Sequence, residues 1–280
     1  APPVSKSRQK TPPVRVRFEG AQFSWHSLAH VNREIGTRLI AMPGLEVALI
    51  PTEKPFFVPS EVTGGEVLAS RCFVGLSAPA DAHIRHFFPP RFEKPEEGKL
   101  VLIQPWEYGY LPEVWIEPIQ KNVAEVWCYS KYVRDVYLNS GISEEKVKVV
   151  PLGVDTTIFH PSAPPFVFTQ EPGTTLLPKG LEGRFCFLFV GGTLHRKGID
   201  ILLDAYLRAF SAYDDVCLVI KDTGTKTVYR GQNEQERILD LMEDSTRPHI
   251  LYIEEDLSPH QLAGIYTASD CLVQPYRGEG

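Results

Sequence analysis

The chain has 280 residues, 43% of them hydrophobic and 23% charged, and a formal net charge of −6. This composition is that of a globular protein, and the acidic balance argues against a general nucleic-acid binder or a polybasic membrane anchor. The longest apolar run, Phe185–Val190, is far shorter than the ~18 residues that a membrane span needs. At about 150 residues per domain, the length predicts two domains.

The first residues predict a flexible tail, 1–13, because they contain four prolines and no apolar stretch of the secretory kind. The five cysteines are odd in number, form no CxxC pair, and four of them lie in strand-like runs. This pattern favours reduced core thiols over disulfides or a zinc site, and it predicts a cytoplasmic protein. Membrane association stays open, but nothing in the sequence marks it.

In the first half, short apolar runs alternate with segments of helical period. A strand at Val14–Glu19 precedes a helix that places Leu28, Val31, Ile35 and Leu39 on one face. Further strands are predicted at Val47–Ile50, Leu100–Ile103, Glu125–Tyr129 and Val147–Val150. Ser130, as N-cap, and Gly141, as left-handed terminator, delimit a helix between the last two strands.

A cluster of prolines and glycines predicts a linker, 161–183, between a domain of residues 14–160 and a second domain of residues 184–280. In the second domain, strands are predicted at Phe185–Val190, Val216–Ile220, Ile250–Ile253 and Cys271–Gln274. Helices are expected to start at Asn233, with Glu236 completing a capping box, and at Ser258-Pro259.

Apolar strands that alternate with amphipathic helices indicate parallel sheets covered on both faces. We therefore predict an α/β protein with two Rossmann-like, doubly wound domains, in which ligands bind beyond the carboxyl ends of the strands. The chain stops six residues after Gln274, where such a domain normally continues. We expect the second domain to be incomplete and the chain itself to be inactive.

The segment after Phe185–Val190 carries the first candidate site. Gly191, Gly192 and Thr193 follow the strand, and Arg196 and Lys197 precede a helix. Glycines allow a ligand to approach the backbone, and two cations at a helix N-terminus are unfavourable unless an anion balances them. A phosphate or diphosphate would do so, whereas the alternative is a solvated basic turn.

Three further positions follow predicted strands. Glu279, between two glycines, could accept hydrogen bonds from sugar hydroxyls or be a plain surface acid. Gly20 and Ser24 lie in the first strand–helix loop, the usual ligand loop of a nucleotide-type domain. Gln104 and Glu107 begin an aromatic segment that suits carbohydrate recognition or ordinary packing.

Several chemistries lack support in the sequence. His26 and His30 lie one helical turn apart but have no carboxylate or cysteine in a matching frame, so we predict no metal site. The chain contains no Asp-x-Asp, P-loop, GxSxG, HExxH or dinucleotide GxGxxG pattern. We therefore predict no cofactor.

Five segments together resemble one family. They are Gly20–Glu34, Val126–Gly141, Pro151–Asp155 with Phe159 and Pro161, Gly191–Gly198, and Ser269–Gly280. In this order and spacing they resemble the bacterial group 1 (family 4) glycosyltransferases of GT-B fold. The resemblance implies carbohydrate biosynthesis by a retaining, metal-independent transfer from a nucleotide-sugar donor to a glycan, lipid or small-molecule acceptor.

The resemblance also implies roles. Arg196 and Lys197 would bind the donor diphosphate and stabilise the leaving nucleotide, and Glu279 would contact the donor sugar as the first Glu of the E-x7-E motif. The first domain would hold the acceptor, the second the donor, and Gly20 would face the phosphates. With no positioned nucleophile apparent, front-face substitution is favoured over a covalent intermediate.

The sequence departs from the family at four places. Gly192 stands where many members have arginine, Gln104 where many have histidine, and Leu152 where asparagine is common. The second Glu of E-x7-E would fall beyond Gly280. Two alternatives stay open: a non-catalytic sugar- or nucleotide-binding module, and a sugar-nucleotide epimerase of the same architecture.

Overall fold

The computed structural model describes residues 12–24, 26–53, 64–166, 181, 183–223 and 233–279. These form two compact units that divide between Leu152 and Gly153. The strands of the first unit are β1 (Val14–Gly20), β2 (Leu45–Pro51), β3 (Ala82–Arg85), β4 (Lys99–Ile103), β5 (Glu125–Cys128) and β6 (Val147–Val149). Its helices are α1 (Ser27–Ala41), α2 (Gly65–Ala69), α3 (Glu113–Asn122) and α4 (Lys131–Asn139).

The first unit is built on a parallel sheet in the order β2-β1-β3-β4-β5-β6. Strand β4 shows why both faces are covered. Leu100 and Leu102 enter one apolar cluster, and Val101 and Ile103 enter another. Successive side chains of a strand point to opposite faces, so a continuous apolar run is buried on both sides.

The second unit contains a parallel sheet in the order β10-β7-β8-β9. The strands are β7 (Phe185–Val190), β8 (Val216–Lys221), β9 (His249–Ile253) and β10 (Cys271–Leu272). The helices are α5 (Ile199–Ala209), α6 (Gln235–Glu243) and α7 (Pro259–Thr267). Strand β8 is buried along its whole length, and its side chains alternate between two clusters. The predicted fold of Rossmann-like α/β units is confirmed.

Three predicted helix boundaries, the two ends of α4 and the start of α7, are confirmed. Ser130 accepts a hydrogen bond from the Val133 amide at 3.2 Å, and Gly141 has a φ of +91° just beyond α4. Ser258 and Gln261 form a complete capping box, and Pro259 occupies the first helical position of α7. The side chains of Ser130 and Ser258 accept from amide groups that a helix cannot satisfy itself, and the Gly141 amide donates to the Leu138 carbonyl at the other end of α4.

The predicted start at Asn233 is wrong. Helix α6 begins at Gln235, with Glu234 as N-cap and no side-chain capping bond. The backbone of Asn233 is instead paired with Leu194 in an antiparallel bridge, and the Glu234 amide donates to the Thr193 carbonyl. This contact with a distant loop competes successfully with the local capping preference.

The last predicted strand is also too long. Strand β10 ends at Leu272, and only the Val273 amide continues the ladder, donating to the Leu188 carbonyl. Pro275 has no amide hydrogen to donate, so the ladder cannot continue through it.

Strand β3 and helices α2 and α3 were not predicted. Strand β3 carries His83 and Arg85, both buried, and therefore lacks a hydrophobic run. Both side chains contact Glu19 of β1, whose carboxylate is 2.9 Å from His83 Nε2 and 2.6 Å from Arg85 Nε. Pro118 lies inside α3, where it obscures the helical pattern.

The predicted domain limits stay predictions. Residues 1–11 of the tail, and 167–180 and 182 of the linker, lie outside the described residues. The described residue Phe166 donates its amide hydrogen to the Gly264 carbonyl at 2.9 Å, so this end of the predicted linker packs on α7 of the second unit. Among the helices of the described segments, none has the length and apolarity needed to cross a bilayer.

Candidate functional site

The candidate donor site lies at the carboxyl ends of β7 and β10. The chain leaves β7 through Gly191, which has a φ of +148° and donates its amide hydrogen to the Lys221 carbonyl. A Cβ at this position would be 3.2 Å from Tyr276 Oη and 3.9 Å from Lys197 Cδ. The backbone conformation therefore favours glycine here, and the Tyr276 hydroxyl would have to shift slightly to admit a Cβ.

Arg196 and Lys197 lie in a short 3-10 turn, His195–Lys197, rather than in the first turn of α5. Gly198, with a φ of +71°, ends this turn and caps α5. A Cβ on Gly198 would be 1.9 Å from the Pro275 carbonyl oxygen. The close approach of these two backbone segments brings the turn beside the residues that follow β10.

The two cations converge on Glu279. Lys197 Nζ is 2.5 Å and Arg196 Nη1 is 2.9 Å from the same carboxylate oxygen, Oε2. Lys197 also lies over the Tyr276 ring, 4.5 Å from its centroid. Only 15% of the Lys197 side chain and 26% of the Arg196 side chain are exposed. The structure thus brings together the three predicted catalytic residues, and a carboxylate provides the negative charge that was predicted for a phosphate.

The segment after β10 is attached to the turn by further polar contacts. Arg277 makes two hydrogen bonds to Asp200, at 2.7 and 2.8 Å, and its amide donates to the Arg196 carbonyl. The hydrogen bond from Arg277 lowers the pKa of Asp200 to about 2. Tyr276 Oη donates to the Val190 carbonyl at 3.0 Å. Arg277 therefore contributes to the site by joining its two loops.

Thr193 has a different environment from the one predicted. Its side chain is fully buried, and its hydroxyl donates to Asp222 Oδ2 at 2.7 Å. Its amide donates to Asp222 Oδ1 at 3.2 Å. Asp222, together with Tyr252, was missed by sequence reasoning; the only signal was an acidic residue directly after the apolar strand β8. Gly192, also predicted to bind the donor, is buried beside Thr193.

In the first unit, Gly20 lies at the carboxyl end of β1 and packs closely. A Cβ at Gly20 would be 2.5 Å from the His86 carbonyl oxygen and 2.6 Å from Asn32 Nδ2. Asn32 donates to the carbonyls of Ala21 and His86. Glycine is therefore required at position 20 by a packing contact within the protein, and its predicted contact with phosphates stays a prediction.

His86 links three elements of this unit. Its Nδ1 is 2.6 Å from Asn32 Oδ1 of α1, and its Nε2 is 2.8 Å from Tyr129 Oη, just beyond β5. Burial, followed by the electrostatic effect of nearby His26, lowers the pKa of His86 to about 4. The imidazole is therefore neutral near pH 7 and accepts or donates one hydrogen bond at each nitrogen.

We expect acid to destabilise the first unit through His86. Because its folded pKa of about 4 lies below the ordinary 6.5, the unfolded chain binds more protons between these values. Stability should fall by about 3 kcal/mol as the pH falls from 6.5 to 4. Urea unfolding across this range measures the slope. His86→Gln should make the free energy of unfolding less dependent on pH, whereas Tyr129→Phe should leave this dependence in place. The same pH dependence in wild type and His86→Gln would contradict the assignment.

The predicted acceptor residues do not form one cluster of direct contacts. The amide and hydroxyl of Ser24 lie 3.2 and 3.5 Å from Glu53 Oε1. Gln104 donates to the Pro105 carbonyl, and its Oε1 is buried without a hydrogen-bond partner in the described part of the chain. Glu107 follows Trp106, whose ring lies 5.2 Å from that of Tyr108.

No group of three or more His, Cys, Asp or Glu side chains among the described residues could hold a metal ion. His26 instead caps α1, with Nδ1 accepting a hydrogen bond from the Ala29 amide. All five cysteines are unpaired, and burial raises the pKa of Cys72 to about 11 and that of Cys217 to about 12. The thiols of Cys72 and Cys217 are therefore protonated at neutral pH and are poor nucleophiles.

No family model matches the sequence. The alpha-maltose-1-phosphate synthase of Mycolicibacterium smegmatis is 26% identical over an alignment of 185 residues that covers 62% of this chain and 44% of that protein. The chain therefore matches less than half the length of this curated relative.

Solved structures share the fold. HepE from Anabaena, in complex with UDP-glucose, has a TM-score of 0.57 at 14% identity. The match covers 94% of this chain and 74% of the HepE chain. The lipopolysaccharide outer core galactosyltransferase WaaB has a TM-score of 0.50 at 11% identity, covering 94% and 74%. The predicted resemblance to glycosyltransferases of GT-B fold is confirmed at the level of the fold.

Proposed function

We propose that this protein is a retaining, metal-independent glycosyltransferase that moves a sugar from a nucleotide-sugar donor to a glycan, lipid or small-molecule acceptor. One observation carries the proposal: Lys197 and Arg196 converge on a single carboxylate oxygen at the carboxyl ends of parallel strands. Ligands of open α/β sheets bind at this edge. The sequence similarity to a maltose-1-phosphate synthase and the fold shared with a galactosyltransferase support the same class of reaction.

The donor diphosphate would replace Glu279 as the partner of the two cations. Arg196 and Lys197 would then stabilise the negative charge that develops on the leaving nucleoside diphosphate as its bond to the sugar breaks, which is the role a metal plays elsewhere. The released Glu279 carboxylate could accept hydrogen bonds from sugar hydroxyls. We favour attack by the acceptor on the face that the nucleotide leaves, which retains configuration.

The acceptor is assigned to the first unit. Ser24, Gln104 and Glu107 are its proposed sugar-binding residues. Gln104 Oε1, which has no hydrogen-bond partner among the described residues, supports this because a buried acceptor without a donor is costly. The HepE complex with UDP-glucose makes a uridine diphosphate sugar the first donor to test.

A donor panel tests the activity directly. The full-length protein is incubated with nucleotide sugars and candidate acceptors, and nucleotide release and product structure are measured. A transferase gives nucleotide release coupled to a glycosylated product with retained anomeric configuration. Isomerised donor without acceptor would indicate the epimerase, and donor binding without any product would indicate the binding module.

Removing the charge of Glu279 should separate binding from turnover. Glu279→Gln is expected to bind UDP about two- to fivefold more tightly, because a half-exposed ion pair no longer competes with the phosphates. Its turnover should fall, because a sugar contact is lost. Calorimetry with UDP measures the first effect, and Asp204→Asn, which removes an exposed carboxylate of α5, is the matched control. Weaker UDP binding by Glu279→Gln would contradict the competition.

A further inference from the structure

Asp222 connects three neighbouring strands near their carboxyl ends. It follows β8 directly and is completely buried. Its carboxylate accepts hydrogen bonds from the amide and hydroxyl of Thr193, beyond β7, and from Tyr252 Oη of β9 at 2.7 Å. Burial, followed by the hydrogen bond to Asp222, raises the pKa of Tyr252, so its hydroxyl stays protonated and donates.

We propose that Asp222 is a positioning residue that holds the Gly191–Thr193 loop in the conformation that receives the donor diphosphate. This inference rests on the proposed function, and it deepens it by assigning how the loop is oriented. Thr193 has two hydrogen-bond donors, its amide and its hydroxyl, and both donate to Asp222. Thr193 therefore acts through the loop's conformation, not through a contact with the donor.

The chemistry of a carboxylate explains why this position is acidic although an anion is to bind nearby. An ionised carboxylate only accepts hydrogen bonds, so the Thr193 amide, the Thr193 hydroxyl and the Tyr252 hydroxyl must all donate to it. An asparagine would present its NH₂ to at least one of these donors. A buried carboxylate that accepts from these donors thus permits one orientation of Thr193, whereas an amide would conflict with it.

The same contacts identify the loop amide that remains for the ligand. The Gly191 amide donates to the Lys221 carbonyl, and the Thr193 amide donates to Asp222. Within the described ranges, the Gly192 amide donates to no protein group. We assign this amide to a phosphate oxygen, because backbone amides at the carboxyl end of a strand are suitable donors to an anion.

The test uses Thr193 variants of the full-length protein, because Thr193→Val keeps the shape of the side chain but removes its hydroxyl. Inhibition constants of UDP and of uridine against the donor are measured, together with donor KM and kcat. We expect Thr193→Val to raise the UDP constant and the donor KM about tenfold, because the phosphate loop is displaced. Uridine has no phosphate, and its constant should change less than twofold.

Two further variants complete the design. Thr193→Ser restores the hydroxyl and should restore UDP inhibition to within twofold of wild type. Asp222→Asn should raise the inhibition constant of UDP at least as much as Thr193→Val does. The melting temperature of Asp222→Asn distinguishes a misfolded protein from one whose loop is mispositioned. The positioning role would be overturned if UDP had the same inhibition constant in wild type and Thr193→Val. It would also be overturned if the inhibition constants of UDP and uridine rose by the same factor. Absence of UDP inhibition in wild type would instead reject a uridine diphosphate donor site, and the inference with it.

Discussion

Lys197→Ala is expected to lower the turnover of the full-length protein by about two orders of magnitude or more. The Lys197 ammonium lies 2.5 Å from Glu279 and over the Tyr276 ring, with little of its side chain exposed. A charge held in this way is already oriented when the nucleotide begins to leave, so its removal raises the barrier directly. The loss should appear mainly in kcat, because the charge on the leaving group is largest in the transition state.

The control for this variant is Arg208→Ala. Arg208 is an exposed cation in the last turn of α5, and its loss changes the net charge of the same unit by the same amount. Its turnover should stay within twofold of wild type. Initial rates at saturating donor compare the three proteins, and unchanged turnover in Lys197→Ala would remove the diphosphate assignment.

Gly198→Ala should destabilise the second unit by about 3 kcal/mol or more. The φ of +71° already costs an L-residue about 1 kcal/mol. In addition, the new Cβ would be 1.9 Å from the Pro275 carbonyl oxygen, and that atom belongs to backbone that cannot move aside like a flexible side chain. The segment after β10 must therefore shift away from the turn that carries Arg196 and Lys197.

A matched glycine separates the two causes. Gly183 lies in the same unit with a φ of +77°, and its Cβ would meet nothing within 4 Å. Gly183→Ala should therefore cost only the conformational strain, about 1 kcal/mol. Denaturant unfolding, followed at the transition of the second unit, compares the variants. Equal losses at positions 183 and 198 would show that the contact with Pro275 does not matter.

Much of the fold followed from local patterns. Strands β4 and β7 and the caps at Ser130 and Ser258 were predicted because their signals lie within a few residues of the structure that they specify. Strand β3 was not, because its burial depends on Glu19, which is 66 residues away from Arg85. A polar strand is buried only where a distant partner satisfies it.

The candidate site divides in the same way. Arg196, Lys197 and Glu279 were identified from their residue types and from their positions after predicted strands. The α/β architecture was predicted from apolar periodicity, a pattern that can be read within each segment. That Glu279 contacts both cations, and that Thr193 is directed at Asp222, depends on which loops meet at one edge of the sheet. Each of these pairs joins residues 29 or more positions apart, and only the folded sheet brings them within hydrogen-bonding distance.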